Sequence, residues 1–402
     1  MKKVIREDGL PIKLWLDDIE DGALEQAKNL ARLPFVFKHI AIMPDAHQGY
    51  GMPIGGVMAT KEVVIPNAVG VDIGCGMCAV KTSLTDIDTD TIKKIMGEIR
   101  KAVPVGFAHQ NEKQDDSLMP DIDGIIEYVK NSVCSKEYES ARTQIGTLGG
   151  GNHFIEIQKG SDGHIYIMIH SGSRNLGYKV ARHYNDIAIA LNKKWFSCVP
   201  KENELAFLPL ESEEGKSYLR EMQYCVYFAL ANRELMISRI CEIVFKETGK
   251  CLTFSDKTDS LDVYNDVINI AHNYAKMEHH FGQNVMVHRK GATLARKDTI
   301  GIIPGSQGTK SYIVEGLGNP DSFMSCSHGA GRKMGRKQAK RELNLKDEIK
   351  KLDSQGIIHG IRNENDLDEA SGAYKDIKAV MDNQKDLVKI IVELQPLAVV
   401  KG

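Results

Sequence analysis

Glycine-dense stretches that each carry an aspartate, a cysteine or a histidine constrain this chain more than any other feature of its sequence. Glycine lets the backbone adopt positive φ and approach a ligand closely. Carboxylate, thiolate and imidazole are the groups that bind transition metals. The stretches therefore predict one buried polar centre assembled from distant loops. Its candidate members are His47, Asp72, Cys75, His153, His170, His272 and His328.

Composition and periodicity favour a mixed α/β protein. The chain has 402 residues, of which 42% are hydrophobic and 26% charged, as is usual for a globular protein. Helical and strand patterns alternate irregularly, and no repeat, low-complexity tract or Pro/Ser-rich linker divides them. We expect one large domain over residues 1–402, with mixed β-sheets flanked by helices and a helical excursion near 190–250.

Local patterns place the individual elements. Ser212 followed by Glu213 and Glu214 is typical of a helix N-terminus and predicts the start of the longest helix. Helices are predicted over 18–32, 88–101, 120–132, 175–195, 212–246 and 333–350. Strands are predicted over 57–64, 77–83, 153–158, 164–169, 285–288, 299–303, 311–315 and 388–394.

Charge and cysteine content limit the function classes. The net charge is −2, from 52 basic and 54 acidic residues, so a nucleic-acid partner needs a local basic patch. We find no N-terminal signal core and no apolar run of the ~18 residues that a membrane span needs, which predicts a cytoplasmic protein without a membrane partner. Eight cysteines without a framework spacing indicate reduced thiols.

Asp72 and Cys75 place a hard and a soft metal ligand in one tight turn, and His153, His170 and His272 add imidazoles. Five such ligands exceed one tetrahedral site and would suit two metals that share a bridging thiolate or carboxylate. Any one of these histidines by itself could equally be a satisfied core residue. Cys78 completes a CxxC with Cys75, but its strand position favours core packing.

Three glycine loops could present backbone N–H groups to an anion: 146–152, 304–309 and 328–331. None has the order of a Walker or Rossmann loop. A basic run follows the last loop, and on one helix it would form two rows of like charge at i,i+4 spacing, which repel. A polyanion such as RNA or a triphosphate would relieve that repulsion, although a solvated helix face is the usual explanation of such a run. The run comprises Arg332, Lys333, Arg336, Lys337, Lys340 and Arg341.

These motifs together resemble the RtcB family of RNA-splicing ligases, and the similarity extends over nearly the whole chain. The matching stretches are 44–56, 70–76, 146–156, 170–174, 271–274, 288–292, 304–309, 327–332 and 396–402. The resemblance implies a GTP- and manganese-dependent ligase that joins an RNA 3′-phosphate or 2′,3′-cyclic phosphate to a 5′-hydroxyl. It implies two manganese ions, a histidine–GMP intermediate, an RNA–ppG activated end and a role in RNA repair or tRNA splicing.

The resemblance also assigns roles to residues. Asp72, Cys75, His153, His170 and His272 fall on metal ligands, with the cysteine bridging both ions, and His328 falls on the guanylylated histidine. Nucleotide contacts fall on Asn152, His153, Phe154, Ile155, Glu156, His272, Asn273, Pro304, Gly305, Ser306, Gln307, Ser311, His328, Gly329, Ala330, Gly331 and Lys401, the last against the guanine.

Two positions depart from the family pattern. Gln307 stands where methionine is expected, and Asn175 stands where glycine is expected, although asparagine can still reach the left-handed region. His47 and Arg174 are candidates for RNA or phosphate contact, and a turn-stabilising hydrogen bond explains them equally well.

Two other function classes use the same ligands. One is a binuclear metal-dependent phosphoesterase that needs no nucleotide, and the other is an RNA-binding protein with a structural metal. For the ligase we expect a monomer, with an activating protein as a possible partner.

Overall fold

The computed structural model of the protein describes residues 1–7, 9–250 and 267–402. Helices and several β-sheets are interleaved along these residues, which confirms the mixed α/β class. The helices are α1 (Asp21–Ala31), α2 (Pro66–Val69), α3 (Thr89–Ala102), α4 (Asp123–Tyr128), α5 (Val133–Gln144), α6 (Arg174–Lys194), α7 (Glu213–Thr248), α8 (Arg336–Glu342), α9 (Leu345–Asp353) and α10 (Ile377–Asp382).

The larger sheet has seven strands, and every neighbouring pair whose register is described is antiparallel. With strands numbered along the chain, its order is β10 (Val267–Ala271), β6 (Gly76–Lys81), β8 (Ile165–Ser171), β7 (Phe154–Gly160), β17 (Val388–Lys401), β15 (Ser311–Gly316) and β14 (Ile300–Ile303). Sequential strands β7 and β8 form a hairpin with Phe154 opposite His170.

The second sheet has six strands, in the order β1 (Lys3–Ile5), β2 (Ile12–Leu14), β3 (Val36–His47), β4 (Ile54–Thr60), β12 (Gln283–Lys290) and β11 (Asn273–His280). It is a mixed sheet, because β2 and β3 run parallel. Two short pairs complete the sheets: β13 (Ala292–Leu294) with β16 (Ser325–Ser327), and β5 (Val63–Val64) with β9 (Leu208–Pro209).

The long helix α7 lies in the core. The side chain of Ser212 accepts a hydrogen bond from the Gly215 N–H, as the sequence predicts for an N-cap. Near its C-terminal end Met236 and Ile240 are fully buried in one apolar cluster with Ile169 of β8. Burial on this scale is the main source of stability for a helix. The helical region near 190–250 therefore supports the seven-stranded sheet, and only residues 195–212 between α6 and α7 are mostly irregular.

Several predicted elements are divided by local capping. The helix predicted over 333–350 is wrong as one element, because the Asn344 side chain accepts from two N–H groups and starts α9 after α8 has ended. The helix predicted over 120–132 is shorter, as α4, and Ser132 at the end of that range is the N-cap of the next helix, α5. The strand predicted over 57–64 breaks where Glu62 adopts φ 60.

The central strand β3 has no counterpart among the predicted strands. Its burial pattern is nearly continuous over 12 residues, because the strand is covered on both faces. A strand buried on both faces lacks the apolar–polar alternation on which strand prediction depends. Strands β10 and β11 and helix α5 were likewise not predicted.

Candidate active site

Antiparallel pairing brings the predicted ligands to one edge of the seven-stranded sheet. Cys75 directly precedes β6 and His153 directly precedes β7, whereas His170 lies near the end of β8 and His272 directly follows β10. Since these strands are adjacent and alternate in direction, the starts of β6 and β7 and the ends of β8 and β10 coincide. Lys401 reaches the same edge, because it pairs with Phe154 at the end of β17.

Three of the predicted ligands form a close cluster. The Cys75 Sγ lies 3.4 Å from the His153 Nε2 and 3.3 Å from the His170 Nε2, and all three residues are buried. Asp72 joins them through its Oδ2, which lies 3.2 Å from the same His153 nitrogen. The Cys75 N–H bonds to the Asp72 carbonyl at 3.1 Å, so one tight turn presents both side chains.

The donor set fits a metal ion. The His170 Nδ1 lies 3.1 Å from the Asn152 carbonyl oxygen, which can only accept, so the proton is on Nδ1 and the Nε2 lone pair faces the cluster. Burial raises the pKa of the Cys75 thiol, and the charge of Asp72 raises it further. A cation would reverse that shift by favouring the thiolate. The Nδ1 atoms of His153 and His272 are buried and have no hydrogen-bond partner in the described residues.

His272 links this cluster to His328. It is the single residue between β10 of one large sheet and β11 of the other, and its N–H bonds to the Cys75 carbonyl at 2.8 Å. The His272 ring centroid lies 5.2 Å from that of His170 and 4.8 Å from that of His328. His328 follows β16 directly, and this chain of rings places it beside the cluster, as the sequence predicts for one shared centre.

Asp45 fixes the orientation of His328. Its Oδ2 lies 2.6 Å from the His328 Nδ1 and accepts the His328 backbone N–H at 3.1 Å, and the carboxylate is fully buried. Gly331 makes this approach possible: its φ is 72, and a Cβ there would overlap the Asp45 carbonyl oxygen. Nδ1 is thereby engaged, and Nε2 is the nitrogen left for chemistry. Asp45 was not assigned from the sequence, although it lies two residues before His47 in one of the glycine-dense stretches.

A cavity of about 830 Å³ opens beside His328 and the predicted metal ligands. Of the predicted nucleotide contacts, Ile155 and Ser311 lie outside its lining, as does the predicted metal ligand His153. Ile155 is packed in the apolar cluster behind the sheet, because alternate residues of β7 face opposite sides. Ser311 lies behind the wall, where its Oγ accepts the Gly305 N–H at 3.1 Å. The predicted contacts that line the cavity are Asn152, Phe154, Glu156, His272, Asn273, Pro304, Gly305, Ser306, Gln307, His328, Gly329, Ala330, Gly331 and Lys401.

One end of the cavity combines a carboxyl group with an amine. Burial raises the pKa of Glu156 to about 8, and the Gln158 Nε2 donates to it at 2.6 Å. Burial lowers the pKa of Lys401, whose Nζ lies 5.7 Å from the centroid of the Phe154 ring. The Gln307 Nε2 donates to the Glu369 carbonyl at 2.8 Å in the wall nearby. This end can therefore offer hydrogen-bond donors, acceptors and an aromatic face to a planar base.

The basic run does not form one helix with two repelling rows. Arg332 and Lys333 precede α8, and Glu369 lies 2.9 Å from Arg332 and 2.8 Å from Arg336. Asp368 lies 3.5 Å from the Lys340 Nζ. These carboxylates offset the repulsion between the basic side chains, so that repulsion does not require a polyanion. Lys333 and Arg336 still line the cavity.

His47 and Arg174 occupy different environments. His47 lines the cavity, its Nδ1 lies 3.1 Å from the Asp45 carbonyl oxygen, and burial lowers its pKa to about 4. Arg174 braces loops, since its Nε donates to the Thr147 hydroxyl and its Nη2 to the Gly106 carbonyl, both at 2.9 Å. Arg174 itself takes the left-handed conformation expected at Asn175, with φ 56.

Lys290 is a further cavity residue that was not assigned from the sequence. Its Nζ donates to the Tyr50 carbonyl at 2.6 Å and to the Asn67 carbonyl at 3.0 Å, and burial lowers its pKa to about 7.

Seven cysteines in the described residues are free thiols, and Cys251 lies outside those residues. No helix of the described residues is both long and apolar enough to span a membrane.

A buried thiol–imidazole cluster lies beside an aspartate-paired histidine at the wall of a large cavity, and this arrangement defines a candidate metal-binding active site. A sequence model of the family described as tRNA-splicing ligase RtcB matches residues 26–402. The RNA-splicing ligase RtcB of Escherichia coli K12 is 37% identical, with 100% of this chain and 99% of the relative covered. This chain belongs to the RtcB family.

Two further relatives are similar over nearly the whole of this chain. The tRNA-splicing ligase RtcB of Thermococcus kodakarensis is 33% identical, with 98% of this chain and 95% of the relative covered. The RNA-splicing ligase RtcB homolog 1 of Entamoeba dispar is 34% identical over 100% of this chain and 86% of its own length.

Proposed function

We propose that this protein is an RNA ligase that uses GTP and manganese to join an RNA 3′-phosphate or 2′,3′-cyclic phosphate to a 5′-hydroxyl. The placement of His328 between the buried Asp45 carboxylate and the Cys75–His153–His170 cluster carries this proposal. Membership of a family whose relatives are named RNA-splicing ligases supports the reaction class.

His328 is the proposed nucleophile of the first step. Its Nδ1 proton is held by Asp45, so the Nε2 lone pair attacks the α-phosphorus of GTP. A P–N bond forms, the bond to the β-phosphate oxygen breaks, and pyrophosphate leaves. Asp45 stabilises the positive charge that develops on the ring, as a carboxylate does for a catalytic histidine.

GMP then passes from His328 to the RNA 3′-phosphate and gives an RNA–ppG end. The 5′-hydroxyl attacks that activated phosphate, the 3′,5′-phosphodiester forms, and GMP leaves. Bound manganese, held by Asp72, Cys75, His153, His170 and His272, would neutralise charge on the phosphoryl oxygens. Residues 304–307 and 328–331 line the cavity wall. The N–H groups of Gly305, Ser306 and His328 already bond within the chain, so the phosphate contacts are proposed for the other N–H groups of these two loops.

The nucleotide base fits the end of the cavity that contains Glu156 and Lys401. A carboxyl group and an amine at one end of the cavity match the donor and acceptor edge of guanine, and the Phe154 ring offers an apolar face. Four further properties stay predictions: a role in RNA repair or tRNA splicing, a cytoplasmic location, a monomeric state and an activating partner protein.

Covalent labelling tests the nucleotide step. The protein is incubated with α-labelled GTP and Mn²⁺, and we expect an acid-labile, alkali-stable label that His328→Ala abolishes. His359→Ala is the matched control, because His359 pairs with Asp353 outside the cavity lining. A phosphoesterase that needs no nucleotide predicts no label even when the metal site is full.

The polarity of joining is tested with defined oligonucleotide ends. We expect ligation with GTP of a 3′-phosphate strand to a 5′-hydroxyl strand. Joining of a 3′-hydroxyl strand to a 5′-phosphate strand instead would refute the proposed polarity.

A further inference from the structure

The cavity has a second side that the nucleotide and the metal ligands leave unassigned. The nucleotide side adjoins His170, because Phe154 lies between His170 and Lys401, with ring centroids 5.6 Å apart in the Phe154–His170 pair. The second side adjoins Asp72, where the Asn273 Nδ2 donates to the Asp72 carbonyl at 3.0 Å and the Asn273 Oδ1 accepts the Gly291 N–H at 2.7 Å. This Tyr50 side comprises Glu20, Gln48, Tyr50, Asn67, Val71 and Lys290.

The two sides differ in charge. The nucleotide side carries four basic residues in the lining against two carboxyl groups: Arg332, Lys333, Arg336 and Lys401 against Glu156 and Glu369. The Tyr50 side carries Glu20 and a single buried amine, Lys290, whose two described hydrogen bonds go to backbone carbonyls. A terminal phosphate therefore fits the nucleotide side better, and a nucleoside without a terminal phosphate fits the Tyr50 side.

The Tyr50 side chain lies at the opening of the cavity, on a loop that hydrogen bonds hold in place. The Gln26 side chain donates to the Gly49 carbonyl at 2.6 Å and accepts the Gly49 N–H at 3.1 Å. The Gly51 N–H donates to Glu204 at 3.2 Å, and Lys290 donates to the Tyr50 carbonyl. The Tyr50 side chain is nevertheless 66% exposed, and no hydrogen bond or ring contact joins it to the described part of the chain. A fixed backbone that presents a free ring is the arrangement of a stacking platform.

The reaction geometry decides which strand would use this platform. In phosphoryl transfer the attacking and leaving oxygens lie roughly in line across the phosphorus. In the sealing step GMP leaves toward the nucleotide side. The attacking 5′-hydroxyl must therefore approach from the side of the reacting phosphate that faces away from the nucleotide. The Tyr50 side is the part of the cavity lining to which no nucleotide contact is assigned.

We infer that the Tyr50 side is the subsite for the 5′-hydroxyl RNA strand, with Tyr50 stacking on its terminal nucleobase. This inference rests on the proposed function and extends it to the second RNA end. Stacking on an aromatic side chain is tolerant of sequence, because every base has a π-face. The subsite would accept any terminal base and would need no terminal phosphate.

The test is a sealing assay with GTP, Mn²⁺, a 3′-phosphate strand and a 5′-hydroxyl strand of varied concentration. Tyr50→Ala should raise the KM for the 5′-hydroxyl strand by roughly 5- to 150-fold. Tyr50→Trp should restore the KM, whereas Tyr50→Leu, apolar but without a ring, should not. Tyr227→Ala is the matched control, because Tyr227 is 54% exposed on α7 and outside the cavity lining.

An abasic 5′-terminal residue isolates the stacking contact. Wild type and Tyr50→Ala should show the same KM for the abasic strand if the ring acts on the base. An unchanged KM in Tyr50→Ala, or rescue by leucine equal to rescue by tryptophan, overturns the inference. An equal fall in formation of the protein–GMP adduct also overturns it, because that step precedes binding of this strand.

Direct binding separates this inference from the proposed function. The affinity of a labelled 5′-hydroxyl oligonucleotide is measured by fluorescence anisotropy without GTP. Tyr50-dependent binding by a protein that forms no GMP adduct would sink the ligase proposal alone. Equal binding by wild type and Tyr50→Ala, in a protein that is labelled normally, would sink the subsite alone.

Discussion

At the scale of single residues, the pairing of Asp45 with His328 determines which ring nitrogen can react. Asp45→Asn keeps the size of the side chain but allows the amide to favour the wrong tautomer of His328. We expect guanylylation to slow by about 10²- to 10⁴-fold. Label transfer from α-labelled GTP measures the rate, and thermal unfolding measures the folded fraction. A rate within about twofold of wild type would contradict the orienting role of Asp45.

At the scale of elements, the β11–β12 hairpin carries a buried ion pair that braces the strand leading to Lys290. Arg289 is fully buried and donates to Glu278 at 2.5 and 3.1 Å, and His280 lies 3.0 Å from the same carboxylate. Glu278→Gln would leave the guanidinium buried without its counter-charge. We expect a loss of roughly 3–5 kcal/mol in the free energy of unfolding at pH 7, measured by urea denaturation.

The same carboxylate predicts a pH dependence. Burial raises the pKa of Glu278, but the charges and hydrogen bonds of Arg289 and His280 outweigh it and lower the pKa to about 2. Because the pKa is lower in the folded state, the stabilisation is complete above the unfolded pKa of about 4.3 and is lost as pH falls toward 2. The stability difference between wild type and Glu278→Gln should therefore shrink between pH 5 and pH 2, and a constant difference would refute this assignment.

The N-cap of α7 gives a second prediction for an element. Ser212→Ala removes the acceptor for the Gly215 N–H, and we expect a loss of about 1 kcal/mol in the free energy of unfolding. Ser354→Ala at the C-cap of α9 is the control, since its hydroxyl donates to a carbonyl and caps no N–H group. Equal losses in the two variants would show that the cap of α7 contributes nothing specific.

At the scale of the whole molecule, the proposed metal ligands come from the edge where the two large sheets meet, so metal binding should stabilise the folded state. We expect chelation to lower the Tm of wild type and added Mn²⁺ to restore it. Cys75→Ala should lose bound metal, measured by elemental analysis, and with it the GMP adduct. Cys78→Ala is the matched control, because Cys78 is buried in the apolar cluster behind the sheet and should keep the metal.

A different outcome would favour a structural metal. If Cys75→Ala unfolds the domain while Cys78→Ala does not, the metal holds the fold together and the RNA-binding alternative gains. Loss of the adduct in a variant that stays folded, with a Tm close to that of chelated wild type, is the result that we expect of a catalytic centre.

Much of the site could be predicted from the sequence because its chemistry is local. Cys75 and Asp72 share one turn, and the glycines around His328 indicate a loop that approaches another backbone closely. Helices with strong caps, such as α7, were also predictable. Strand β3 was not, because a strand buried on both faces shows no alternation.

Other roles depended on distant partners. The sequence placed Arg332 and Arg336 in one repelling row, and only the fold brings Glu369 between them. Ile155 stands among residues expected to contact the nucleotide, and only the pleat of β7 turns its side chain into the core.

The sequence by itself determined which side chains can do chemistry here: a thiol, a carboxylate and several imidazoles. Each lies in a loop whose glycines let the backbone approach its neighbours closely. Tertiary structure decided which of them meet. Antiparallel strands from separate parts of the chain end at one edge. The second large sheet adds Asp45 against His328 and Lys290 at the cavity, and its β3–β4 loop adds Tyr50. Sequence motifs specify local conformation, whereas the distance between residues remote in the chain is fixed only when the sheets pair and pack.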